Sequence, residues 1–136
     1  MRFSFSDHCV FNLKAHIIFV VVYRRKAISE SILTRMGEIF DEVCGRHGAT
    51  LREFPGEPDH VHLLIEFSPS TRLSDLVRAL KSVFSKKIRE EFDSQIRKYL
   101  RGKRFWTRSY CVISVGDGAT TEIIERYIKG QKRPSS

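Results

Sequence analysis

The stretch "HVHLLIEF", His60 to Phe67, alternates so strictly that only one kind of element suits it. In a strand, every second side chain shares a face. Val61, Leu63, Ile65 and Phe67 therefore form a wholly apolar set, and His60, His62, Leu64 and Glu66 point the other way. Such a strand needs a sheet whose one side is covered by helices and whose other side can meet a ligand.

The rest of the chain supplies those parts. Val10 to Tyr23, rich in Val, Ile and Phe, reads as a long central strand. After Ser29, an N-cap, the residues Ile32, Leu33, Met36, Ile39, Phe40, Val43, Cys44 and His47 recur at helical spacing until Gly48 stops the helix. "ATLREF" predicts a second strand, and the turn "PGEPD" makes a hairpin with the strand that begins at His60. Leu73, Leu76, Val77, Leu80, Val83, Phe84 and Ile88 mark a second amphipathic helix. A fourth strand is predicted over Arg104 to Gly116. A final helix follows "DGATTEIIERYIKGQ", with Thr120 or Thr121 as its cap. The order βαββαβ plus one helix is the ferredoxin-like α+β pattern, with an antiparallel sheet and two helices on one face.

At 136 residues the chain is of single-domain size, and residues 1–136 are expected to form one domain. No apolar run approaches the roughly 18 residues needed to cross a bilayer. The first 14 residues, "MRFSFSDHCVFNLK", lack a secretory pattern, so a cytoplasmic location is expected. Cys9, Cys44 and Cys111 are too few and too scattered for a disulfide framework or a thiolate zinc site.

Charge points to a polyanion. The formal net charge is +8, and Arg78 to Arg108 holds eleven Lys or Arg against Glu90, Glu91 and Asp93. Lys81, Lys86 and Arg89 on the second helix are candidate phosphate contacts. A solvated helix face is the bland alternative.

His60 and His62 project from the non-apolar face, close enough to hold one divalent ion with neutral nitrogens. On spacing alone, two solvated surface histidines are the simpler reading, since an HxH arises by chance in about one chain in six of this composition. Tyr127 and Gln131 stand at i and i+4 on the final helix, where a phenol and an amide oxygen approach one point. Tyr127 is a candidate nucleophile and Gln131 a third, neutral metal ligand. Their bland reading is a packing residue and a helix end. Leu64 breaks a third His, which disfavours a histidine-triad hydrolase. No phosphate-binding Gly-rich loop, nucleophilic Ser elbow or catalytic carboxylate pair is present.

"PDHVHLLIEF", "LVRALKSVFSKKI", "RFWTRSYCVISVG" and "ERYIKGQ", in this order and spacing, resemble the small single-tyrosine HUH transposases of bacterial insertion sequences, the TnpA type. Their REP-associated relatives share the same core. The likeness runs from "HIIFVVVYRRK" to Gln131 and leaves the chemical residues intact. Val22 stands where Lys is frequent in the family, and Ser109 and Cys111 replace a Gly and an aromatic.

The resemblance implies cleavage and rejoining of single-stranded DNA, with hairpin-bearing element ends as the partner. It makes His60, His62 and Gln131 metal ligands and Tyr127 the nucleophile of a 5′-phosphotyrosine intermediate. Mg²⁺ or Mn²⁺ suits such a donor set, which leaves positions open for water and phosphate. It further implies a homodimer in which the tyrosine helix can complete the partner's site. A domesticated REP-associated enzyme and a non-enzymatic ferredoxin-like nucleic-acid binder are the alternatives.

Overall fold

The chain is described by a computed structural model over residues 4–6, 9–116 and 120–131. Strand β1 (Ser4–Ser6) pairs with β2 (Cys9–Phe11) in a small ribbon apart from the main sheet. The main sheet is built on β3 (Leu13–Val20), followed by α1 (Glu30–Arg46), β4 (Ala49–Glu53), β5 (Gly56–Glu57) and β6 (His60–Phe67). Next come α2 (Leu73–Glu91), α3 (Asp93–Arg97), β7 (Cys111–Ser114) and α4 (Thr120–Lys129). The strands lie in the order β4-β6-β3-β7, all antiparallel, with β5 pairing β6 beyond β4. This is the expected ferredoxin-like arrangement.

One face of the sheet carries the core. Ile17, Phe19, Val61, Leu63 and Ile65 pack against Ile32, Met36, Ile39 and Phe40 of α1 and against Leu76, Leu80, Phe84 and Ile88 of α2. Phe84, Phe105, Trp106, Phe19 and Phe40 form a run of tilted and edge-on ring contacts at 4.6–5.9 Å. Burying each such side chain stabilises the fold by about 1.5–3 kcal/mol, so this cluster fixes the position of β6 firmly.

Local signals act as the sequence suggests at α1. The Ser29 side chain accepts a hydrogen bond from the Ile32 amide, and Gly48 follows the helix with φ of 70°. The turn before β6 is tight for a steric reason: a Cβ at Gly56 would stand 2.5 Å from Leu33 Cδ1.

Three expected boundaries differ. The first long strand is split at Asn12, and β3 ends at Val20 because Val22–Arg24 form a 3-10 turn with Tyr23 and Arg24 at φ of 54° and 55°. "PGEPD" is not all turn, since Gly56 and Glu57 continue the ladder and leave Pro58 and Asp59 to reverse the chain. The fourth strand shrinks to Cys111–Ser114, preceded only by a bridge between Val21 and Trp106. Its earlier half is diverted by Lys81, whose ammonium gathers the carbonyls of Thr107, Arg108 and Ser109. Helix α4 begins at Thr120, so its cap lies outside the described residues, as does most of the "GDGAT" connection.

Candidate active site

Register decides which side chains share the face opposite the core. Val20 pairs with His60, Ile18 with His62 and His16 with Leu64, so Lys14, His16, Ile18 and Val20 of β3 lie on the same face as His60 and His62. His16 Nδ1 reaches His62 Nε2 at 2.8 Å, a diagonal contact between neighbouring strands. Burial first, then the neighbouring His16, hold the His62 pKa below the ordinary imidazole value. His62 is therefore neutral near pH 7 and keeps a lone pair.

His60 is oriented from the turn. Its Nδ1 lies 2.8 Å from Asp59 Oδ1, while Arg24 Nε donates to Asp59 Oδ2 at 3.2 Å. Asp59 is only 8% exposed, and burial works to raise its carboxyl. The hydrogen bond and charge of His60, with the charge of Arg24, outweigh that and bring it below the usual value. With Nδ1–H donated to a carboxylate, the Nε2 lone pair of His60 faces outward, the arrangement that metal-binding histidines use. Two imidazoles with one carboxylate behind them fit a divalent ion. Among the described residues no group of three His, Cys, Asp or Glu is arranged to hold one.

Helix α4 lies beside this shelf. Glu125, Ile128 and Lys129 share a cleft of about 480 Å³ with Asp59 and His60. Tyr127 lies about 100–160° around the helix from those three at 100° per residue, and Gln131 follows just past the end of α4. The Tyr127 hydroxyl meets Ser109 Oγ at 2.9 Å, and the Gln131 side chain lies 3.5 Å from Ser109 Oγ while donating Nε2–H to the Tyr127 carbonyl at 3.2 Å. Tyr127 and Gln131 are thus brought together, as are His60 and His62. Among the described residues no hydrogen bond joins the two pairs. Burial raises the Tyr127 pKa against the opposing bonds from Ser109 and Thr107, so the phenol is protonated at neutral pH.

The three cations proposed for phosphate divide differently. Lys81 is half-buried over the Phe19 ring, its pKa pulled down by burial to about 8, and its ammonium is occupied by Thr107 and Ser109 carbonyls at 2.7 and 3.0 Å. The Arg89 guanidinium bonds the Gly102 carbonyl. Lys86 and Arg89 line one open groove, beside Arg101 and Lys103, and of the three only Lys86 has no hydrogen bond or ion pair among the described residues.

The sequence and the order of strands match a known group. The family model "Transposase IS200 like" matches residues 9–131. The chain belongs to that family. As an IS200-like transposase it is an enzyme of DNA recombination associated with insertion sequences. It is 34% identical over 124 residues to the transposase for insertion sequence element IS200 of Salmonella typhimurium, covering 91% of this chain and 80% of that one. It is 28% identical over 122 residues to the ISDra2 transposase TnpA of Deinococcus radiodurans, covering 90% and 86%.

Among solved structures, one described as a transposase from Deinococcus radiodurans R1 superposes with a TM-score of 0.86 at 26% identity, over 96% of this chain and 99% of that one. A REP-associated tyrosine transposase bound to a REP hairpin shares the fold, with a TM-score of 0.60 at 12% identity over 91% and 70%. Among the described residues of this IS200-like transposase, no helix is long and apolar enough to cross a membrane.

Sequence reasoning missed His16, Asp59 and Ser109. Asp59 was visible as the residue before His60, in the fixed turn. His16 required the register between β3 and β6, and Ser109 required the docking of α4.

Proposed function

We propose that this transposase cleaves and rejoins single-stranded DNA at insertion-sequence ends, with Tyr127 as nucleophile and His60 and His62 as the protein ligands of Mg²⁺ or Mn²⁺. The observation that carries the reading is the oriented imidazole pair, bordered by the helix that bears the tyrosine. Asp59 holds the Nδ1 proton of His60, and His16 sits against Nε2 of His62. If His62 donates Nε2–H to His16, its Nδ1 lone pair is left for the ion. A bound divalent ion would supply charge to a nonbridging phosphate oxygen.

The Tyr127 oxygen attacks the phosphorus as its proton leaves. An O–P bond forms to the tyrosine and the bond to the 3′ oxygen breaks, giving a 5′-phosphotyrosine and a free 3′-OH after that oxygen takes a proton. A 3′-OH from another end then reverses the exchange, releasing the phenol, so no external energy source is needed. Tyr127 and Gln131 must leave Ser109 to reach the imidazoles. That requires α4 to re-dock on its own sheet or on that of a partner in a homodimer, where Gln131 would add its amide oxygen as a third ligand.

The test is incubation with single-stranded oligonucleotides carrying hairpins, plus Mn²⁺, with the covalent protein–DNA adduct resolved on a denaturing gel. Wild type forms the adduct, and Tyr127→Phe binds the DNA but forms none. An adduct that persists in Tyr127→Phe assigns the nucleophile to another residue. A heterodimer of Tyr127→Phe with His60→Ala, His62→Ala regains adduct on the His-variant chain if the helix is exchanged. A verified heterodimer that stays inactive places the complete site in one chain.

A further inference from the structure

We infer that the segment between α3 and β7, together with the strained turn after β3, forms a second DNA-contact surface. In it Tyr23 and Tyr99 stack unpaired bases while Arg25, Arg101, Lys103 and Arg104 hold the adjoining phosphates. The inference rests on the DNA reading above and adds a path for the strand toward Ser109, the resting place of Tyr127.

The surface is a cleft of about 800 Å³, within the ordinary range for ligand sites. Its lining contains six Lys or Arg and no acid. Arg97 is tied to Asp93 at 2.8 Å, whereas no ion pair engages the four cations named above among the described residues. Two aromatic rings stand in this basic lining, Tyr23 at 54% exposure and Tyr99 at 47%. Neither donates or accepts a side-chain hydrogen bond among the described residues. An exposed ring between cations offers a π-face to a base and charge to its phosphates, the combination that unpaired strands favour and a closed duplex cannot use.

The surface is built in advance. Ile96, Leu100 and Phe105 are buried around the loop, and the Arg89 guanidinium bonds the Gly102 carbonyl, so the cations are displayed on a fixed frame. Tyr23 holds φ of 54°, a conformation that costs a non-glycine residue free energy and is maintained here by backbone bonds from Val22 N to Phe105 O and from Arg24 N to Val21 O. That backbone lines the cleft.

Continuity gives the surface its direction. Val22, Tyr23 and Arg104 also line a smaller cleft of about 480 Å³ whose other walls include Ser109 and Gln131. Ser109 holds the Tyr127 hydroxyl. A strand seated on Tyr99 and Tyr23 therefore runs on to Ser109, where Tyr127 rests before α4 re-docks.

The test measures anisotropy of a labelled unpaired oligonucleotide of about 16 nucleotides, near the upper site size for such grooves, across a salt series. Tyr23→Leu and Tyr99→Leu should each weaken binding about tenfold with the salt slope unchanged. Arg101→Gln with Lys103→Gln should flatten the log–log slope by about 1.4, or about 0.7 per phosphate contact. Neither Leu variant should alter binding of a blunt duplex.

If wild type binds the unpaired strand and the Leu variants match it, the cleft is overturned while the DNA reading stands. If wild type binds no unpaired DNA, that reading fails and the cleft falls with it. Should a Leu variant prove unfolded by circular dichroism, photo-cross-linking of wild type to an iodouracil-substituted strand decides. Attachment at Tyr23 or Tyr99 supports the surface, and attachment only elsewhere overturns it.

Discussion

The imidazole shelf and the tyrosine helix are held in opposite ways. His60 and His62 stand on a strand paired on both sides and backed by the core, and each ring nitrogen facing the protein has a partner at 2.8 Å. Tyr127 is held through its hydroxyl alone, by Ser109 at 2.9 Å and by Thr107, both in the loop before β7. On the proposed mechanism, fixed ligands would need no rearrangement to take up an ion, whereas a nucleophile that must change partners would need a weak first attachment.

The largest effect that would test this contrast is removal of a shelf member. His60→Ala or His62→Ala should each reduce adduct formation by more than about 100-fold, beyond the range seen for outer partners of metal ligands, and EDTA should reproduce the loss in wild type. Near-normal cleavage in both would return them to surface histidines. Asp59→Asn keeps the size but removes the charge behind His60. It should lower Mn²⁺ affinity by about 10–100-fold in calorimetry while leaving unpaired-DNA binding intact. An unchanged affinity would show that the turn does not orient the ligand.

Smaller effects belong to the tyrosine side. Lys81→Met strips the shared donor from the carbonyls of Thr107 and Ser109, and urea unfolding should show a loss of about 1–3 kcal/mol. No loss would mean that water replaces the ammonium freely. Because burial raises the Tyr127 pKa, the reactive phenolate is a minority that grows with pH. Single-turnover cleavage should therefore climb up to about tenfold per pH unit between about pH 7 and 9. A flat wild-type profile would show that proton loss from Tyr127 does not limit the step.

The same contrast marks what could be read from the residues alone. Alternation in "HVHLLIEF" was enough to separate Val61, Leu63 and Ile65 from the two histidines, because the period of a strand is local. Helical spacing likewise placed Tyr127 and Gln131 together. Whether the pairs meet depends on the rotation of α4 against the sheet, which no local pattern encodes. Lys81 looked like a surface cation because its helical position borders Leu80 and Phe84. The long stem lets it lie over Phe19 and turn inward to carbonyls. Helix α3 was overlooked because five residues are too few to show a period.

The sheet order has a consequence for how the molecule is made. Strand β3 occupies a middle position, yet the strand that closes its second edge, β7, comes 91 residues after Val20. At about 5–20 residues per second, the nascent chain spends roughly 5–18 s with that edge bare. The edge belongs to "LKAHIIFV", an apolar, β-prone segment of the type that recruits other strands. Early packing of α1 and α2 can shelter the face of β3 but leaves its edge open. Synthesis speed and chaperone access should therefore govern the soluble yield of this transposase more than its final stability does.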